Sequence, residues 1–120
     1  MEPGANRTLI MICRACGVLA LAAGIAYWMG YGIPLDVHMG LGALLVLALW
    51  ALAFKSRAVQ PGLSLVATMW GALVPILGFA QIMLPLGDAP WLLQILHVAA
   101  GVGAIGFAEV VAKRGMTAAN

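Results

Sequence analysis

Charge is scarce in this chain. Six Lys and Arg and four Asp and Glu are spread over 120 residues, 8% of the total, where a soluble domain carries about 25%. A soluble helical bundle needs a polar face on each helix, and so few charges cannot furnish several. A soluble globular fold is therefore excluded. The net charge of +2 is small and its basic residues are scattered, which excludes a nucleic-acid-binding surface. Two cysteines, Cys13 and Cys16, with no polar domain around them exclude a secreted disulfide scaffold. Histidine occurs only at His38 and His97.

The rest is apolar: hydrophobic residues make up 64%, against roughly 45–50% in soluble domains. Four apolar stretches, Leu9–Met29, Val37–Phe54, Leu63–Leu86 and Trp91–Ala112, hold 18 to 24 residues each. At about 1.5 Å per residue they match a hydrocarbon core of roughly 30 Å. They predict an all-α fold, a four-helix transmembrane bundle forming a single domain over residues 1–120, multi-pass in the inner (plasma) membrane. Arg14 interrupts the first stretch, so it reads as a retained anchor rather than a cleaved signal peptide.

Turn residues separate the stretches. Tyr31, Gly32, Ile33 and Pro34 precede the second, with Pro34 suited to a first helical turn. Gln60, Pro61 and Gly62 part the second from the third, and Leu86 to Pro90 part the third from the fourth. Pro75 predicts a kink within the third span, and Pro85 lies at its end. All basic residues fall on one side of this arrangement: Arg7 and Arg14, Lys55 and Arg57, Lys113 and Arg114. The other side carries Asp36 and Asp88. The positive-inside rule then puts both termini in the cytoplasm.

The chain also reads as a duplication of two helices. Gly17, Gly24 and Met29 of the first span correspond to Gly71, Gly78 and Met83 of the third at an offset of 54. The second and fourth align His38 and Gly42 with His97 and Gly101 at an offset of 59. A parallel repeat of this kind implies a pseudo-twofold axis along the membrane normal. Counted from Pro34 and Pro90, His38 lies about 6 Å and His97 about 10 Å into its helix, so the two can face each other.

Two imidazoles on facing helices at one depth are what the iron of a b-type haem takes as axial ligands. Glycine follows each histidine by four residues, on the same helical face, and Gly42 and Gly101 leave bare patches that a flat porphyrin requires. Gly17, Gly24, Gly71 and Gly78 add smooth faces, at seven-residue spacing, on the other two helices. The site predicted is thus His38, His97, Gly42 and Gly101, with haem b as cofactor. The pattern of four spans, His38, His97 and nearby glycines resembles small four-helix membrane b-type cytochromes, the cytochrome b561-like proteins and one half of haem A synthase. The resemblance implies an electron-transfer or accessory subunit of a membrane redox complex, with other membrane subunits or a second copy as partners, and electrons exchanged with a partner or quinol at the outer face. Four-helix cytochromes often carry four histidines for two haems; with two, this chain holds at most one.

Plainer readings stand beside it. A histidine near a helix end bonds water or headgroups, and glycines allow close helix packing, which together describe a cofactor-free structural subunit of a larger membrane complex. A copper or zinc site needs more ligands than two imidazoles, with Met29 and Met39 on offer, and a small-ion or metal transporter comes third. Cys13 and Cys16 read as small buried side chains. Glu109, an acid inside a span, reads as the ion-pair partner of Lys113 or Arg114. Gln81 and Gln94 suit a propionate, a quinone carbonyl or each other. Tyr27, Trp28, Tyr31 and Trp91 suit an interfacial aromatic belt. No reaction is assigned.

Overall fold

The computed structural model describes residues 3–84 and 87–119. Its elements are four helices: α1 (Pro3–Trp28), α2 (Leu35–Ser56), α3 (Pro61–Met83) and α4 (Pro90–Ala119). All four are long and apolar enough to cross a membrane, which marks the chain as an all-α, multi-pass membrane protein.

The helices overrun the apolar stretches. α1 begins at Pro3 rather than Leu9, and α4 continues to Ala119 rather than Ala112. Hydrocarbon thickness fixes how much of a helix must be apolar, not where its backbone hydrogen bonds stop. α3 ends at Met83, with Leu84 as an extended cap; Pro85 and Leu86, included in the apolar stretch, lie outside the described residues. Pro34 is not in the first turn of α2 but before it, with extended backbone at φ −60° and ψ 133°. Pro61 and Pro90 do open their helices. Helix α3 continues through Pro75, which is exposed on its outer side. At the end of α1, Gly30 turns left-handed at φ 88°. The Tyr31 amide then reaches the Ala26 carbonyl and the Gly30 amide that of Tyr27, closing the helix as a Schellman motif.

Between helices in lipid there is no hydrophobic force, so packing depends on close backbone approach and on hydrogen bonds. The buried stripe of α1 alternates steps of four and three: Asn6, Ile10, Cys13, Gly17, Ala20. That of α3 is Ser64, Ala67, Gly71, Val74. Helix α4 buries Ala100, Ala104, Ala108, Val111, Ala112 and Gly115. These small faces surround the bulkier stripe of α2, where Leu49 and Leu52 have no exposed surface. α2 packs on all three other helices, whereas α1 and α3 do not touch among the described residues.

Indole hydrogen bonds tie the bundle across its seams. Trp50 Nε1 donates to the Thr68 carbonyl at 3.0 Å, and Trp70 Nε1 to that of Ala100 at 2.8 Å. Each indole lies against a glycine of the neighbouring helix, Trp50 on Gly71 and Trp70 on Gly103. At the end that carries the termini, the Ser56 and Ser64 hydroxyls meet at 3.0 Å, and Gln60 Nε2 donates to the Val111 carbonyl at 2.9 Å.

A candidate paired-histidine site

α2 and α4 run in the same direction, because each follows a turn at the same end of the bundle. A residue one turn into α2 therefore meets one about two turns into α4. The rings of His38 and His97 sit with centroids 5.8 Å apart and planes at 69°, edge to face. Sequence spacing brings these two together as expected.

Each ring is seated on its neighbouring helix by a glycine. His38 Nδ1 lies 2.8 Å from the Ala20 carbonyl of α1. A carbonyl only accepts, so Nδ1 is the donor, and in the neutral ring this leaves the lone pair on Nε2. Ala20 is one turn before Gly24, and a Cβ on Gly24 would stand 2.9 Å from His38 Cε1. The bare residue at 24 thus uncovers the carbonyl for the ring. On the other side, a Cβ on Gly78 of α3 would stand 3.1 Å from His97 Cε1. His97 Nδ1 is buried and makes no close hydrogen bond, but the Val74 backbone of α3, the counterpart of Ala20 at the offset of 54, stands by the ring as a looser partner. Both imidazoles thus lean on the preceding helix, His38 the more firmly.

Gly42 and Gly101, the other two predicted site residues, are half-buried. A Cβ on either would meet nothing within 4 Å, so neither is engaged in packing. The glycines pressed against the imidazoles are Gly24 and Gly78 on the flanking helices. Their seven-residue spacing from Gly17 and Gly71 was a usable signal, but it did not say which of the four would face a histidine.

Elsewhere one expectation is overturned. Glu109 does not pair with Lys113 or Arg114 but with Arg14 of α1, whose Nε and Nη2 both engage the carboxylate, the latter at 2.9 Å. The antiparallel contact of α1 and α4 brings the planar guanidinium fork to the carboxylate, a bidentate fit that a lysine cannot make. Cys13 is buried, with Sγ 3.9 Å from the Leu45 carbonyl, and Cys16 is half-buried; both are free thiols. No group of three or more His, Cys, Asp or Glu forms a metal cluster among the described residues. Met29 and Met39 are exposed, and Gln81 and Gln94 are half-buried. Tyr27, Trp28, Tyr31 and Trp91 are all exposed near one end of the bundle, as an aromatic belt requires. Comparison with protein families, curated proteins and solved structures finds no match for this chain.

Proposed function

We propose that this chain is a membrane b-type haem-binding protein, with His38 and His97 as the axial ligands, serving as an electron-transfer or accessory subunit of a membrane redox complex. The observation that carries the reading is the meeting of its only two imidazoles, one from α2 and one from α4, with ring centroids 5.8 Å apart. The Ala20 carbonyl holds His38 in the tautomer whose Nε2 is free to ligate, the usual outer support of a metal-bound imidazole. Gly42 and Gly101 leave open helix faces one turn away. When bound, haem supplies one-electron exchange; the protein's part is to orient two ligands and to surround them with apolar side chains. A quinol or a partner subunit at the same end of the bundle is the electron source this implies.

The test is optical. Protein purified in detergent from haem-replete cells should show an intense Soret band, sharp α and β bands on reduction, and a pyridine haemochrome. A colourless protein refutes the proposal. The second reading, a cofactor-free structural subunit, draws on a different observation: the two rings touch each other directly, and the open faces at Gly42 and Gly101 suit a partner helix. Gly42→Leu or Gly101→Leu separates the two. Under the haem reading each variant inserts normally and loses the cofactor; under the other it retains nothing to lose and fails in assembly.

The proposal includes the repeat and the orientation. Moving Ile10, Cys13, Gly17 and Ala20 by 54 residues gives Ser64, Ala67, Gly71 and Val74, all buried. Moving Leu45, Leu49, Leu52, Ala53 and Ser56 by 59 gives Ala104, Ala108, Val111, Ala112 and Gly115, again all buried. Coincident buried stripes support descent from one two-helix unit. Five of the six basic residues lie near the end that carries the termini, which supports a cytoplasmic location for both termini in an inner membrane. With Cys13 and Cys16 replaced by Ala, Asp88→Cys should react with an impermeant thiol reagent on intact cells. Thr117→Cys should react only after the cells are opened; the reverse result overturns the orientation.

A further inference from the structure

We infer that the outward groove between the end of α2 and the start of α3 binds one anionic phospholipid. The groove is walled by Trp50, Phe54, Leu65 and Thr68, and it ends at Arg57 and Pro61 in the α2–α3 turn. Phe54 and Leu65 are 64% and 62% exposed, so its walls are open to whatever surrounds the helices. In a bilayer that surrounding is acyl chain.

Arg57 gives the groove a chemical polarity. Its guanidinium lies 3.6 Å over the Phe54 ring, and Nη1 donates to the Phe54 carbonyl at 2.8 Å. These two contacts fix the plane of the group while leaving most of its five donors unspent. Among the described residues no carboxylate neutralises it, the ion pair found there being Arg14 with Glu109. Lys55 is exposed two residues earlier. A fixed, unpaired guanidinium at the mouth of an apolar channel is built for a phosphate that carries a hydrocarbon tail, since the planar fork matches phosphate oxygens. From Arg57 back to Trp50 the apolar wall runs for about 10 Å, a length that free phosphate leaves unused and an acyl chain fills. With Lys55 a second exposed cation at the same end of α2, the local positive charge favours a net negative headgroup over a zwitterionic one, whose own positive charge would be repelled.

The test uses the full chain in detergent, with dioleoylphosphatidylglycerol and dioleoylphosphatidylcholine as probes, followed by native mass spectrometry. The wild type should retain one phosphatidylglycerol under conditions that strip phosphatidylcholine. Arg57→Gln should lower that retention about fivefold, the worth of one cation near a membrane surface. Leu65→Trp, which fills the groove and leaves every cation in place, should lower retention of both lipids. Lys113→Gln, at the far side of the same end, should leave the preference intact. Equal retention of the two lipids by the wild type, an unchanged preference in Arg57→Gln, or full retention in Leu65→Trp each overturns the site.

Discussion

With His38 and His97 ligating haem as proposed, removing either imidazole is expected to abolish a six-coordinate haem spectrum. His38→Ala and His97→Ala each leave one histidine in the whole chain, and no His, Cys, Asp or Glu cluster stands by to replace it among the described residues. Pyridine haemochrome assay should find haem occupancy lowered about tenfold or more, since even the outer-shell partners of a metal ligand are worth about 10–100-fold. Any haem that stays should turn five-coordinate, and free imidazole should restore the low-spin bands by entering the space the side chain vacated. The two variants should differ in one respect. His38 bonds the Ala20 carbonyl at 2.8 Å, whereas His97 makes no close hydrogen bond and has only the looser partner of the Val74 backbone, so His38 is the better-held ligand and its loss should be the more damaging. A wild-type spectrum in either variant would remove that histidine from the site.

An equally large effect is expected where no ligand is involved. Gly103→Ala sets a Cβ 2.7 Å from Trp70 Nε1 and Cζ2. The indole cannot retreat without surrendering its bond to the Ala100 carbonyl, 2.8 Å long, and it is flanked on another side by the Phe107 ring at 5.3 Å. Overpacking of this kind costs about 1–3 kcal/mol, and a lost hydrogen bond adds about 1 kcal/mol. Gly106→Ala on the same helix meets nothing within 4 Å and should gain about 0.5–1 kcal/mol from helix propensity. Unfolding midpoints in a single detergent should therefore move in opposite directions for two glycines three residues apart. Shifts of the same sign would show that Trp70 does not pack as described.

Those two glycines also mark the limit of what the sequence discloses. The number of helices was legible because span length is set by the bilayer, and the meeting of His38 with His97 because helices that start at the same end bring equal depths together. The seats of the rings were less legible. Spacing to histidine singles out Gly42 and Gly101 as bare patches for a flat cofactor, while the glycines that crowd the rings, Gly24 and Gly78, lie on the helix preceding each histidine and read in the sequence only as smooth faces. Which face of an almost uniformly apolar helix turns inward depends on its neighbours, and periodicity is weak when both faces are greasy. Glu109 failed for the same reason. Spacing within one helix offered Lys113, while the partner that fits its carboxylate, Arg14, is 95 residues away.

Each imidazole is braced inside its own half of the chain, His38 by α1 and His97 by α3, while the two halves join chiefly through α2. A ribosome delivers the first half to the bilayer before the second exists. His38 can thus be seated, with its proton fixed, while its counterpart is still being made, and the pair arises only when the second hairpin docks. The turn from Arg57 to Gln60 is then a tether as much as a turn: it sets the effective concentration at which one half finds the other. Maturation of the histidine pair is by this logic a docking event, governed by how long that tether is and by how well two hairpins recognise each other within the plane of the membrane.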